Sequence, residues 1–379
     1  MNNHGKFFEV LMRTLLLFDG LGGSNDTVVA ALRTLYARPE NHAYFERVFA
    51  VVDEVLTYIG TEARNALLPA GLAMKRWLEP SADSPPGPLD NSIVAGVCVH
   101  AYQVCHLQPT GNSADGAVAA LGHSIGLQAA VVAGMRLRRM DEFLALAASS
   151  LKLVAVSLVR AQQLAAGNGA DPDLVRRYLA LGRRNRPPSP MASLSGMSRH
   201  ELHGAVHRYN QDGGRTLSLG LVNSPTTQVL SGSTEDLLGF YFANESRFVQ
   251  SQASWAFLPG TIPFHSAQLA PAAQRVREDL GFIGPLPRAD QLELPVYATD
   301  GPRNLQRATD LVDEFLNQVL VRPIEWELAA GHAVSDARVE RVVDCGPGPG
   351  ARRFTRECLG AGAQAVRFES VHQSPRRAR

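Results

Sequence analysis

The chain has 379 residues, 45% of them hydrophobic and 19% charged, with a formal net charge of +1. That length exceeds one simple core and predicts a large domain carrying an insertion, or two domains. The near-neutral charge argues against nucleic acid as the main partner, because neutralising phosphates needs a basic excess. The cysteines Cys98, Cys105, Cys345 and Cys358 form no C-x-x-C pair and no zinc-ligand spacing, so the expectation is no bound metal and a reduced, cytoplasmic chain. Leu15-Leu16-Leu17-Phe18 is too short for a secretory core and Glu9 interrupts upstream, so no signal peptide is expected.

In chain order, residues 13–18 read as a fully buried strand of the parallel-sheet kind. The turn Asp19-Gly20-Leu21-Gly22-Gly23 follows, then Ser24-Asn25-Asp26 as a cap for a helix over 27–36. Its glycines fit neither a P-loop nor G-x-G-x-x-G, so no nucleotide is expected there. Residues 45–57 and 60–77 look helical, 80–88 form a Pro-rich surface loop, and 93–107 form another helix bearing His100 and His106.

An apolar run, Ala117-Val118-Ala119-Ala120-Leu121, leads into Gly122-His123-Ser124-Ile125-Gly126, and good helix formers continue to Ala133. Strand, sharp turn and helix form the context in which G-x-S-x-G carries chemistry. The glycines permit a tight turn, the serine stands at its tip, and the helix behind directs free N–H groups and its positive dipole end toward the hydroxyl. The aliphatic stretch 144–166 carries Lys152 and Arg160, which predicts a buried helix rather than a membrane span. The Arg/Pro segment from Arg183 to Pro190 reads as a hinge.

Beyond it the rhythm becomes β-α-β-β-α: a strand over 191–196, a helix over 199–209 boxed by Ser198 and Glu201, strands over 217–223 and 227–231, and a helix capped at Ser233. That order fits a small ferredoxin-like insert. The large fold resumes through Phe257-Leu258-Pro259 and Pro263-Phe264-His265-Ser266, with a helix over 268–280 and a strand over 295–298. A helix over 310–320 and a strand over 339–343 follow, the strand ending in Asp344-Cys345-Gly346-Pro347-Gly348. The residues after Phe368 read as a polar tail or linker.

These motifs, in this order, resemble the acyltransferase family of fatty-acid and polyketide synthases, within which the malonyl-CoA:ACP transacylases fall. The likeness is strongest to the starter-unit acyltransferase domain of fungal non-reducing polyketide synthases, through Leu221-Val222-Asn223-Ser224-Pro225, Phe257-Leu258-Pro259 and Asp344-Cys345-Gly346-Pro347-Gly348. The resemblance implies an α/β fold: a large α/β-hydrolase-like core with a parallel sheet (1–186 and 258–370), a ferredoxin-like subdomain (187–257) and a tail (371–379).

It further implies a ping-pong acyltransferase. Ser124 would be the nucleophile, His265 the general base oriented by a backbone carbonyl, and the N–H groups of Ile125 and Leu21 the oxyanion hole. Gly20, His123, Ser149, Ser150 and Phe264 would contact the substrate. Starter-unit relatives usually carry cysteine at the position of Ser124. Malonyl-loading relatives hold the substrate carboxylate with an arginine, and the matching position here is Ser149 or Ser150. A buried carboxylate without a cation costs several kcal/mol, so a neutral acyl group is expected.

No cofactor is implied; the substrates are acyl-CoA or phosphopantetheine-linked thioesters. The partners implied are an acyl carrier protein, other domains of a polyketide synthase and, as acyl donor, a second, reducing synthase. The arginine groups at 136–139 and 183–186 are candidate contacts for an acidic carrier protein. The competing readings are an α/β-hydrolase-type serine esterase or thioesterase, a malonyl-type transacylase, and a non-catalytic docking domain with the same fold.

Overall fold

A computed structural model describes residues 12–23, 27–79, 89–109, 116–165, 169–182, 186–211 and 215–371. The expected cap at Ser24-Asn25-Asp26, the loop over 80–88, Arg183, Arg184 and the tail beyond Val371 lie outside the described residues.

Ten strands are described: β1 (Thr14–Phe18), β2 (Ala117–Gly122), β3 (Met191–Ser195), β4 (Ser218–Ser224), β5 (Thr227–Ser231), β6 (Ser254–Phe257), β7 (Val296–Tyr297), β8 (Ile324–Glu325), β9 (Arg341–Asp344) and β10 (Arg367–Ser370). They form two sheets, ordered β10-β9-β1-β2-β7 and β6-β3-β5-β4-β8. The first is parallel throughout. All five side chains of β1 are buried, as a central parallel strand covered on both faces requires.

Alternation along β1 divides the core. Leu16 and Phe18 pack with one layer of helices: α1 (Val28–Tyr36), α2 (His42–Leu67), α3 (Met74–Leu78), α4 (Ser92–Cys105), α5 (Gly126–Gly134) and α6 (Met140–Ala165). Leu15 and Leu17 face the opposite layer with Trp326, Ala329, Ala330 and Ala333. Each fully buried leucine contributes ~1.5–3 kcal/mol of transfer free energy. Gly60, at φ +80°, interrupts α2, which is why the sequence reads as two helices there. Helix α6 is long and apolar enough to cross a membrane, yet 78% of its most apolar window is buried inside the protein. Its cations are engaged: Lys152 pairs with Glu54 at 2.6 Å, and Arg160 with Asp279 at 2.7 Å.

The second sheet is antiparallel from β6 through β4, and its order, fourth-first-third-second strand, is that of a ferredoxin-like unit. With α7 (Pro172–Ala180), α8 (Arg199–Gln211) and α9 (Thr234–Gln250) it encloses a core of its own. Ser198 and Glu201 form the expected box, and Ser233 Oγ accepts the Asp236 N–H at 3.0 Å. One strand comes from outside the insert: β8 pairs parallel with β4. Leu221 and Val229 on this sheet pack with Leu17, Leu121 and Trp326, so the two sheets share an apolar seam.

The remaining helices are α10 (Ala270–Glu278), α11 (Leu280–Ile283), α12 (Leu311–Leu316), α13 (Trp326–Asp336) and α14 (Gly350–Leu359). Helix α12 passes into a π-helical turn, Asn317–Val321. Register then positions the site. Phe18 pairs with Gly122, and Leu17 pairs with both Leu121 and Asp344. The carboxyl ends of β1, β2 and β9 are therefore level, and their loops converge where open α/β sheets bind ligands.

Candidate active site

Ser124 stands between β2 and α5 at φ +51°, a left-handed conformation rare for a non-glycine residue and expected of a nucleophile elbow. The flanking glycines make this turn possible. A Cβ on Gly122 would collide with the Gly126 carbonyl, and one on Gly126 would lie 2.6 Å from the Asp19 carbonyl oxygen.

Ser124 Oγ lies 2.8 Å from Nε2 of His265. On its other side, His265 Nδ1 lies 3.1 Å from the Arg322 carbonyl oxygen, just past the π-helical turn. A carbonyl only accepts, so Nδ1 carries the proton and Nε2 is left to accept from the serine hydroxyl. Burial, reinforced by the neighbouring His123, pushes the His265 imidazole down to about 3, and it is neutral at pH 7. His265 also has φ +58°, and the Ser266 N–H donates to the Leu320 carbonyl at 3.0 Å. The π turn thus grips the histidine segment; such turns recur at functional sites.

The N–H groups of Ile125 and Leu21 donate to no acceptor among the described residues. His123 points away from Ser124: its Nε2 lies 2.8 Å from Asn223 Oδ1, and its ring meets Trp326 edge-on at 4.9 Å between centroids. Gly20 packs against this histidine, where a Cβ would come 2.7 Å from His123 Nδ1.

A cavity of about 280 Å³ opens over Ser124 and His265. Its wall includes Leu21, His123, Phe264 and, mostly from the smaller sheet and the segment after it, Met191, Leu221, Val229, Leu258 and Ile262. Phe264 and Leu21 thus share the cavity with Ser124 and His265. Ser149 and Ser150 do not line this cavity. Ser150 Oγ is buried 2.9 Å from His100 Nε2, and Ser149 Oγ faces Gly284, so these positions belong to the packing of α6 against its neighbours. The neutral-acyl argument then rests on the cavity wall itself. Among the described residues its one arginine is Arg353, a largely exposed side chain that lies over the Phe354 ring and 3.6 Å from Glu357.

Asp344, at the end of β9, gives His265 no acidic partner: it accepts the Gly346 N–H at 3.0 Å and lies 3.5 Å from Arg352. Burial, then the charge of Asp19, push its carboxyl up to about 7, with Gly346 and Arg352 acting against them. Sequence reasoning gave no role to Asp19, Gln103, Asn223 or the Arg322 carbonyl. Asn223 stood inside a motif already singled out; the Arg322 carbonyl, a main-chain atom, leaves no sequence signal.

A serine hydroxyl bonded to a neutral, buried imidazole, beside two unengaged N–H groups, can attack a carbonyl and hold the resulting oxyanion. Comparison with known proteins agrees with that chemistry. Residues 17–266 match the family described as starter unit:ACP transacylase in aflatoxin biosynthesis. The fatty acid synthase subunit beta of Saccharomyces cerevisiae is 24% identical over 363 residues, covering 88% of this chain and 17% of that subunit. The chain thus spans about a sixth of that relative's length. The malonyl-CoA:acyl carrier protein transacylase (FabD) of Xanthomonas oryzae pv. oryzae superposes with a TM-score of 0.64 at 16% identity, covering 95% of this chain and 94% of that one. A loading acyltransferase from the avermectin modular polyketide synthase superposes with a TM-score of 0.61 at 16% identity, covering 94% and 93%. At these identities the solved structures establish the fold, and the match over 17–266 places the chain in the starter unit:ACP transacylase family, a family of acyltransferases.

Proposed function

We propose that this chain takes a neutral acyl group from a thioester onto Ser124 and passes it to the phosphopantetheine thiol of an acyl carrier protein. The observation that carries this reading is the 2.8 Å Ser124–His265 hydrogen bond beneath an apolar cavity. In the first half-reaction His265 Nε2 takes the Ser124 proton as Oγ bonds to the thioester carbon. The oxyanion is held by the N–H groups of Ile125 and Leu21. Its collapse breaks the C–S bond, and the proton passes from His265 to the departing thiol. In the second half-reaction the carrier thiol gives its proton to His265, the S–C bond forms, and Ser124 leaves with a proton restored.

Gly20 and His123 shape the floor of the site, and Phe264 lines the acyl slot. Residues 1–186 and 258–370 serve as the catalytic unit, lending α7 and β8 to the smaller one, 187–257, which closes the cavity, with 371–379 as a tail. The donor is acyl-CoA or the carrier protein of a second, reducing synthase, and the acceptor belongs to a polyketide synthase. Four unpaired cysteines suit a cytoplasmic setting. The test is acyl transfer in two separated steps: enzyme acylated by hexanoyl-CoA and freed of donor must load a holo carrier protein. Transfer that requires donor and acceptor together would exclude the acyl-serine intermediate.

A further inference from the structure

The loop over residues 19–23 supplies the Leu21 N–H, and that donor is useful only if it is held toward the space above Ser124. The residue at the loop's base, Asp19, is 4% exposed and bound on every side. Its Oδ1 accepts the N–H of Gly20 at 2.9 Å and of Ala351 at 3.0 Å, and its Oδ2 accepts the N–H of Gly350 at 3.2 Å. Gly350 and Ala351 open α14, so the carboxylate also meets the positive end of that helix. The glycines of the turn after β9 let this happen. A Cβ on Gly346 would come 2.5 Å from Asp19 Cβ, and those on Gly348 and Gly350 would each lie 2.9 Å from its carboxylate oxygens.

The main chain of Asp19 is held from the opposite direction. Gln103, fully buried on α4, donates its Nε2–H to the Asp19 carbonyl oxygen at 2.7 Å. That same oxygen faces Gly126, at the start of the helix behind Ser124. Asp19 is therefore tied to α14 by its side chain, to α4 by its carbonyl, and lies in close approach to the serine elbow.

We infer that Asp19 and Gln103 are positioning residues, which fix the 19–23 loop so that the Leu21 N–H points at the developing oxyanion. The inference rests on the acyl-serine reading above. Neither side chain touches the reacting atoms; both act through the backbone donor. A displacement of about 1 Å in such a donor costs up to ~10²-fold in rate. Gln103 offers a clean separation of positioning from stability. Its Oε1 is buried with no hydrogen-bond partner among the described residues. A methionine of similar shape removes that unsatisfied acceptor, which offsets the Asp19 carbonyl left without its donor.

The experiment is single-turnover acylation of Ser124 by the hexanoyl thioester of N-acetylcysteamine, followed by intact mass as a function of thioester concentration, with melting curves alongside. Asp19→Ala is expected to lower the limiting acylation rate about tenfold or more, with the half-saturating concentration unchanged within about threefold. Gln103→Met is expected to lower the limiting rate by several-fold with a melting temperature close to that of the unaltered protein. Limiting rates at the unaltered level in both variants would overturn the inference, as would a loss confined to half-saturation. Should Asp19→Ala not fold, Gln103→Met alone decides. Ser124→Ala runs in parallel: an adduct surviving there would overturn the acyl-serine reading, whereas adduct formation at full rate in the two loop variants overturns only the positioning.

Discussion

Ser124 and His265, 141 residues apart in the chain, meet through a 2.8 Å hydrogen bond, and each adopts a positive φ. The strain on the two residues has separate sources. One is forced by the elbow between β2 and α5; the other is held by carbonyls around the π-helical turn Asn317–Val321. Strained conformations of this kind persist only where surrounding structure over-determines them.

The protonation state of His265 sets the pH dependence of acylation. Buried, and beside His123, its imidazole is pushed down to about 3 from its ordinary value near 6.5. In the proposed acylation the neutral ring is the base, so it is available at any pH well above 3. Single-turnover acylation should be flat between pH 5 and 8. A fall on acidification centred near pH 6.5 would contradict the buried, neutral base.

Glycine placement at the elbow makes a stability prediction. Gly122→Ala places a methyl against the Gly126 backbone, which cannot yield as a side chain would. Overpacking of this kind costs ~1–3 kcal/mol or more, so Gly122→Ala should melt well below the unaltered protein. Gly362→Ala, with nothing within 4 Å of the added methyl, is the matched control and should change stability little. Equal melting temperatures for the two would refute the elbow geometry.

Removing Asn223 should expose the cost of an orphaned buried polar group. Asn223→Leu leaves His123 Nε2 without its partner at 2.8 Å. The penalty is ~1–3 kcal/mol, read as a loss of denaturant midpoint. Acylation of Ser124 should persist at a reduced rate, because His123 packs beside the elbow and bonds to Asn223 rather than to Ser124. Complete loss of acylation in a folded variant would assign His123 a direct part in the chemistry.

The elements that buttress the cavity carry a testable ion pair. Arg160 on α6 grips both oxygens of Asp279 at 2.7 Å, and the Tyr58 hydroxyl donates to Asp279 at 2.7 Å. Asp279→Ala strips the buried partner from a guanidinium that is only partly exposed. A deeply buried pair would lose ~3–5 kcal/mol; partial exposure of Arg160 puts the expected loss nearer ~2 kcal/mol. A midpoint shift indistinguishable from zero would show that the pair is solvated.

Much of this architecture was legible in the residues. The buried run Leu15-Leu16-Leu17-Phe18, the elbow glycines, the Ser198–Glu201 box and the β-α-β-β-α rhythm are local signals, and local chemistry reads them. Four features were not. Strand β8 has two residues and exists only because β4 offers it an edge. Strand β10 pairs with β9 through Arg367-Phe368-Glu369-Ser370, a polar stretch that reads as tail because an edge strand needs no continuous apolar run. Ser149 and Ser150 count to the right helix, but burial against His100 and Gly284 is a matter of packing that spacing does not encode. Asp19 left no signal of its own in the sequence, because its partners come from Gly350 and Ala351, more than three hundred residues later.

The central claim is that Ser124 carries a neutral acyl group, and intact mass spectrometry tests it most directly. Incubated with equal concentrations of hexanoyl-CoA and malonyl-CoA, the protein should gain the hexanoyl mass alone, on the peptide containing Ser124, and Ser124→Ala should gain nothing. The cavity wall bears Met191, Leu221, Val229, Leu258, Ile262 and Phe264, and among the described residues its one arginine, Arg353, is largely exposed and lies over the Phe354 ring. A malonyl adduct equal to or exceeding the hexanoyl adduct would contradict the account, as would any adduct that survives the loss of Ser124.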